Sequence, residues 1–258
     1  MRKTPGVLGV IPARMASTRL PGKPLLPIVG VPMIQRVYEG AADCRRLHTV
    51  VVATDSAEIA TFCRAHAIPV RLTSAAHTSG TDRVWQVAQE MGAAAVVNIQ
   101  GDEPMVRAEM LEVLVDALFR EEATQVASLY TVMEAAEAQL PSACKVVLDG
   151  QGRALYFSRA AIPFPREGQP QYYKHLGYYA YSREALEAFH GWAPTMLEMT
   201  ERLEQLRFLH HGVEIAMAET PYNTIGIDTA EDLAAAEALI RGANRQYGVE
   251  AAKSKRIG

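Results

Sequence analysis

Residues 7–24 read VLGVIPARMASTRLPGKP. Residues 7–11 are apolar without interruption and end at Pro12, the pattern of a strand covered on both faces. A short polar loop follows at once. It carries Arg14, Arg19 and Lys23, hydroxyls at Ser17 and Thr18, and Gly22 among the stiffening Pro21 and Pro24. A buried strand that empties into a cationic loop places that loop at a strand end.

The same pattern recurs downstream. Residues 49–53 (TVVVA) and 93–99 (AAAVVNI) are apolar runs followed by polar residues, and the second leads into Gln100, Gly101, Asp102 and Glu103. Helices are predicted over 33–42 and 56–66, with Asp55 and Ser56 as candidate caps of the second. Another helix carries Leu111, Leu114, Val115 and Leu118 at helical spacing. Strand, loop and helix in alternation predict an α/β fold with three layers, a mostly parallel Rossmann-like sheet covered on both sides. Such sheets gather ligands at the carboxyl ends of their strands.

Beyond residue 125 the pattern becomes mixed. Strands are predicted over 125–132, 145–148, 175–181 and 214–218, a proline-bearing loop over 161–171, and helices over 196–210 and 229–241. No internal repeat or linker stands out. The 258 residues, 49% of them hydrophobic, suit one large domain over 1–243 with a polar, aperiodic tail over 244–258.

Composition narrows the function. A net charge of −3 argues against a surface built for nucleic acid and leaves room for a local cationic pocket. The three cysteines, Cys44, Cys63 and Cys144, are too scattered for a disulfide framework or a zinc site, which fits a reducing interior. The first apolar stretch is too short, and too soon followed by proline and arginine, for a secretion signal or a membrane span. These features predict a soluble, cytoplasmic protein.

Three cations in one short loop suit a triphosphate. One cation about 4 Å from one phosphate charge contributes roughly 4 kcal/mol near a protein surface. Gly22 lets backbone approach phosphate oxygens, and Ser17 and Thr18 add donors. The spacing is not that of a P-loop. A solvated basic loop is the plain alternative, countered here by the prolines and the buried strand that fix its position.

Read together, IPARMASTRLPGKPL, TSGTDR, NIQGDEP, KVVLD, LYFSRAAIP, HLGYYAY, LEQLR and GIDTAEDL resemble, in order and approximate spacing, the motifs of the 3-deoxy-manno-octulosonate cytidylyltransferases. The resemblance runs from about residue 8 to residue 240. It implies an enzyme that couples CTP to the acidic sugar 3-deoxy-manno-octulosonate (Kdo), releasing pyrophosphate and supplying CMP-Kdo to lipopolysaccharide synthesis. It also implies a homodimer, with the nucleotide half over about 1–125, the sugar and dimer part over 126–220, and a closing helix over 221–243. Neither nucleic acid nor membrane is expected as a partner.

The chemistry then divides among named residues. Arg14, Lys23 and Asp102 are the catalytic candidates, and Ala13, Arg14, Ser17, Arg19, Lys23, Ser79, Gly80 and Asp82 the nucleotide-binding ones. Asp102 follows the third strand, where a carboxylate would repel phosphates unless a cation intervened. Magnesium (Mg2+) typically takes one or two carboxylates plus phosphate oxygens, so a second acid is expected. Asp228 is the candidate, although by residue type alone it reads as an ordinary helix cap before AEDLAAAEAL. The resemblance makes it a magnesium ligand and leaves Thr229 as the cap.

For the sugar carboxylate, Arg159 offers a bidentate fork. A strand would put His175, Gly177, Tyr179 and Tyr181 on one face. The resemblance implies that Gln100, Arg159, His175, Tyr179, Glu204 and Gln205 face the sugar. Residue type and spacing alone favour core aromatics for Tyr179 and Tyr181, and a solvated helix face for Glu204 and Gln205. Ser79, Gly80 and Asp82 likewise read equally as a capped turn, with Ser79 or Thr81 as cap.

Two departures stand out. Ile225 lies between Thr224 and Gly226 where the family has threonine, glycine, valine and aspartate in a row, so a differently shaped approach to Asp228 is expected. The loop over 163–173 is short relative to some relatives. Alternative readings are a cytidylyltransferase for another acidic sugar, such as amino-Kdo or a sialic acid, a sugar-1-phosphate nucleotidyltransferase, and a noncatalytic nucleotide sensor.

Overall fold

The computed structural model describes residues 6–15, 20–168 and 170–254, with side chains described as far as residue 242. β1 (Val7–Ala13) sends Val7, Ile11 and Ala13 into one core and Leu8 and Val10 into another. That double burial is why the sequence there is apolar at every position. A 3-10 turn (Lys23–Leu25) and the hairpin β2 (Pro27–Ile28) and β3 (Val31–Pro32) lead to α1 (Met33–Ala42). β4 (Leu47–Thr54), α2 (Ala57–Ala65), β5 (Val70–Leu72), α3 (Gly80–Met91), β6 (Ala95–Asn98) and α4 (Ala108–Leu118) follow. Next come β7 (Val126–Met133), α5 (Ala135–Ala138), β8 (Lys145–Leu148), β9 (Ala154–Ser158) and β10 (Tyr172–Ser182). The chain closes with α6 (Arg183–Gly191), α7 (Met196–Glu201), α8 (Leu206–His210), β11 (Ile215–Glu219) and α9 (Ala230–Ser254).

The main sheet runs β11-β7-β10-β6-β1-β4-β5, with β8 and β9 as an antiparallel pair attached to β10. Pairing is parallel between β1 and β4, β1 and β6, β4 and β5, and β7 and β11. β10 alone on that path runs the other way, antiparallel to both β6 and β7. Side chains of α1, α2 and α4, among them Val37, Ile59 and Leu114, fill one core. Val84 of α3, Phe189 of α6 and Phe208 of α8 fill the other. The predicted three-layer, mostly parallel sheet is present.

Several boundaries differ from those predicted. Ser56 caps α2 by accepting from the Ile59 amide at 3.3 Å, while Asp55 pairs with the buried Arg83 at 2.6 Å. The single helix predicted over 196–210 is two. Thr195 and Glu198 form a reciprocal capping box on α7, and Arg202 ends it in the left-handed region at φ 56°. β10 is longer than expected and carries a bulge: Leu176 pairs with Leu129 and Tyr179 with Ser128, so Gly177 and Tyr178 have no opposite residues on β7. β9 and α6 had no periodic signal strong enough to be predicted.

The helix predicted over 229–241 continues to Ser254, into the segment read as an aperiodic tail. Alanine, glutamate, glutamine, lysine and arginine there sustain a helix by propensity without an apolar stripe. Earlier in α9, Leu233, Ala236 and Ile240 pack with Ile28, Met33 and Ile227. Glu237 Oε1 accepts from the Val29 amide at 2.9 Å, which ties α9 to the β2–β3 hairpin beside the first loop. Among the described residues no helix is long and apolar enough to cross a membrane.

Candidate active site

Lys23 is the meeting point of the two ends of the chain. Its Nζ donates to Asp102 Oδ2 at 2.8 Å, to Asp228 Oδ1 at 3.1 Å and to the Ile227 carbonyl at 2.8 Å. The ammonium is largely buried, whereas the two carboxylates stay part-exposed. The Ile227 amide donates to the Asp102 carbonyl at 2.9 Å, so the two acidic segments are also joined through backbone. Gly101 makes the turn after β6 possible: a Cβ there would stand 2.5 Å from the Pro12 carbonyl. Gly22, at φ 70°, supplies the left-handed residue that starts the 3-10 turn holding Lys23.

The ambiguity at Asp228 resolves in geometry. Thr229 Oγ1 accepts from the Asp232 amide at 3.2 Å, and Asp232 Oδ2 accepts from the amides of Thr229 and Asp228 at 2.9 and 3.0 Å. Thr229 and Asp232 therefore cap α9, and the Asp228 carboxylate is turned to Lys23.

Of the nucleotide candidates, Ala13 is buried at the end of β1 and Arg14 is exposed just beyond it. Ser17 and Arg19 lie outside the described residues. Gly80 packs under Pro12, where a Cβ would meet the proline ring at 3.3 Å, so the start of α3 sits against the end of β1. Ser79 caps α3: its Oγ accepts from the Asp82 amide at 3.0 Å and donates to Asp82 Oδ2 at 2.9 Å. Asp82 Oδ1 also contacts His190 Nδ1 at 2.9 Å, and these partners hold its carboxyl below the usual range against the opposing effect of burial.

Beside this cluster lies a cleft of about 750 Å³. Gln100, Arg159, His175, Tyr179, Glu204 and Gln205 all line it, and Gly80 and Asp228 reach its edge. Rings of His175, Tyr179 and Tyr181 follow one another on a single face of β10, with centroids 5.4 and 5.7 Å apart. The bulge spans two residues and preserves this alternation. Burial pushes the His175 imidazole down to about 3, so it is neutral, and raises both tyrosines well above the usual phenol value.

The break after α7 explains how Glu204 and Gln205 enter the cleft. They sit in the turn between α7 and α8 and are not on a solvated helix face. Glu204 Oε2 accepts from Thr81 Oγ1 at 2.8 Å, and burial raises its carboxyl. Arg159 donates from Nε to Glu201 O at 2.8 Å, from Nη1 to Pro141 O at 3.0 Å and from Nη2 to Arg202 O at 3.5 Å. Three of the five N–H groups of its guanidinium are thus engaged by carbonyls.

The supports of the cleft are residues whose type alone does not mark them. Fully buried Lys145 donates from Nζ to the carbonyls of Leu140, Ala143 and Arg159 at 3.0, 2.7 and 2.5 Å, joining two walls of the cleft. Lys174 Nζ reaches Glu137 at 2.9 Å, Asn223 Oδ1 at 2.8 Å and Thr224 O at 3.2 Å. The Thr224 hydroxyl donates to Glu103 Oε2 at 2.5 Å, and burial raises the Glu103 carboxyl. The segment containing Ile225 is therefore pinned on both sides before it delivers Asp228. The only sequence cue was placement: a lysine opening KVVLD, and Asn223 and Thr224 shortly before GIDTAEDL.

A cation flanked by two carboxylates, one of them in the turn after β6 and the other just before α9, thus lies beside a polar cleft that Asp228 also lines. The sequence profile of the cytidylyltransferase family matches residues 8–215. The 3-deoxy-manno-octulosonate cytidylyltransferase of Koribacter versatilis is 51% identical over 239 residues, 92% of this chain and 91% of its own. That of Acidobacterium capsulatum is 48% identical over 236 residues, 91% and 96% of the two chains. A solved CMP:2-keto-3-deoxy-manno-octonic acid synthetase complexed with CTP superimposes with a TM-score of 0.88 at 42% identity, covering 92% of this chain and 99% of the other. The chain belongs to the cytidylyltransferase family, among the 3-deoxy-manno-octulosonate cytidylyltransferases.

Proposed function

We propose that this protein transfers the cytidylyl group of CTP to Kdo, giving CMP-Kdo and pyrophosphate. The observation that carries this reading is the convergence of Lys23, Asp102 and Asp228 at the edge of the cleft. The anomeric hydroxyl of the sugar forms a bond to the α-phosphorus as the bond to pyrophosphate breaks, and its proton passes to water, with no covalent enzyme intermediate. Arg14, Arg19 and Lys23 would offset charge on the triphosphate. Ala13, Ser17, Ser79, Gly80 and Asp82 would border the nucleotide.

The donor set suits magnesium. The Asp102 and Asp228 carboxylates meet at the Lys23 ammonium, and among the described residues they are not part of a cluster of three or more histidines, cysteines or acids. That is what an ion taking one or two carboxylates and completing its shell with phosphate and water oxygens requires. Asp102 and Asp228 are assigned as its ligands. When bound, magnesium would neutralise phosphate charge and polarise the phosphoryl group. In the cleft Arg159 would hold the sugar carboxylate, while Gln100, His175, Tyr179, Glu204 and Gln205 would read hydroxyls.

A homodimer belongs to the same proposal. Exposed apolar side chains fall on the loop before β10 and on α7: Phe164 at 82%, Met196 at 73% and Met199 at 56% exposure. Burying them against a second copy would remove unfavourable apolar surface from water. Location in the cytoplasm fits the three unpaired thiols.

Pyrophosphate release measured with each of four nucleoside triphosphates against a panel of acidic sugars tests the function. CTP with Kdo should be the fastest pair. Faster turnover with amino-Kdo or a sialic acid would replace the sugar, and no turnover with CTP and any of them would reject the enzyme reading.

A further inference from the structure

The bulge in β10 has a chemical consequence for His175. Where Gly177 and Tyr178 leave the ladder with β7, carbonyls of the bulge turn to side chains for partners. Gln100 Nε2 donates to the Gly177 carbonyl at 2.8 Å. Ser128, fully buried on β7, has its Oγ 2.8 Å from the Tyr178 carbonyl, 3.3 Å from the Leu176 carbonyl and 3.0 Å from His175 Nε2. Carbonyl oxygens only accept, and a serine hydroxyl has one proton to give. With Nε2 bare, one proton would face three acceptors around Oγ. With Nε2 protonated, the hydroxyl donates to the Tyr178 carbonyl, its shorter carbonyl contact, and accepts from the imidazole, so the ring nitrogen and the hydroxyl are both paired.

We propose that Ser128 fixes His175 as the Nε2–H tautomer, so that His175 meets the sugar through Nδ1 as a neutral acceptor and selects a hydroxyl there, leaving the carboxylate to Arg159. Ser128 acts as a positioning residue; it touches the cleft only through His175. The ring is further held by Phe157 and Tyr179, with centroids at 4.9 and 5.4 Å, which restrict its rotation. The identity of the hydroxyl-bearing ligand rests on the proposed function, but the tautomer does not.

Nitrogen-15 correlation spectra of the ligand-free full chain at pH 7.5, with the His175 signal assigned by its loss in His175→Gln, read the tautomer directly. The expected result is a protonated Nε2 and a bare Nδ1. A protonated Nδ1, or a doubly protonated ring, would overturn the proposal. In Ser128→Ala the two tautomers should mix, and KM for Kdo should rise roughly tenfold, the size of one lost hydrogen bond, with KM for CTP unchanged. An Nε2–H signal and a KM for Kdo that both survive Ser128→Ala would equally overturn it. Because the wild-type spectrum needs neither substrate nor variant activity, its failure is separate from failure of the substrate assignment.

Discussion

Lys23 holds Asp102, Asp228 and the Ile227 carbonyl with a single ammonium, so its removal takes away a donor that joins the two carboxylates directly. Lys23→Met should lower kcat/KM by on the order of 100-fold, as for loss of one charge contact to the reacting phosphates, and initial-rate assays would show it. A rate within a factor of about two of wild type would remove Lys23 from the chemistry. Lys145 answers to a different measurement. Lys145→Met strips the donor from three carbonyls, that of Ala143 buried and those of Leu140 and Arg159 part-buried, and should cost about 3 kcal/mol in urea unfolding. Single residues were unevenly legible. Arg14, Lys23 and Asp102 stand out because charge at a strand end is uncommon, whereas Asp228 and Thr229 compete for one capping role and only the hydrogen bonds separate them. Ser128 gave no signal, and Lys145 none beyond its place at the head of KVVLD, since the backbone carbonyls they meet have directions set by the fold.

At the level of elements, β1 and β6 approach so closely at their carboxyl ends that Gly101 cannot carry a side chain. Gly101→Ala should push the Asp102 segment away from Pro12, lowering both the melting temperature and kcat, whereas Gly150→Ala, with open space around it, should leave kcat unchanged. The start of α3 gives a second case. Ser79→Ala should cost about 1 kcal/mol of stability in urea unfolding, and Ser79→Thr should restore most of it because threonine keeps a hydroxyl that accepts from the Asp82 amide and donates to the Asp82 carboxylate. Strands buried on both faces were plain in the sequence, since a short unbroken apolar run rich in valine, such as residues 49–53, suits a strand with no solvent face. The β10 bulge and the break at Arg202 were not, because each depends on pairing or packing with residues far away in the chain. Glu204 and Gln205 consequently looked like a helix surface and are instead the rim of the cleft.

Across the whole molecule, neutral burial of His175 links stability to pH. Its folded pKa of about 3 lies below the ordinary value of 6.5, so the unfolded chain binds the extra proton between the two. Stability is therefore greatest above pH 6.5 and declines as pH falls toward 3, by up to about 1.4 kcal/mol per pH unit from this group. Denaturation series between pH 7.5 and 5 should show that slope in wild type and a shallower one in His175→Gln. Light scattering should give twice the 28.2 kDa chain mass, and Phe164→Asp with Met196→Asp should halve it. The sheet's class was readable from alternation alone, but the reversed β10 was not, because an apolar run carries no direction. The sheet brings residues 23, 102 and 228 to one point, and that makes them a unit. Pyrophosphate release from CTP and Kdo with magnesium, in wild type, Asp102→Asn, Asp228→Asn and the double variant, tests this most directly. Each single substitution should cost about 1000-fold or more, with the double scarcely worse, as for two ligands of one ion. Unchanged turnover in either single variant, or losses that simply multiply, would contradict a shared metal centre.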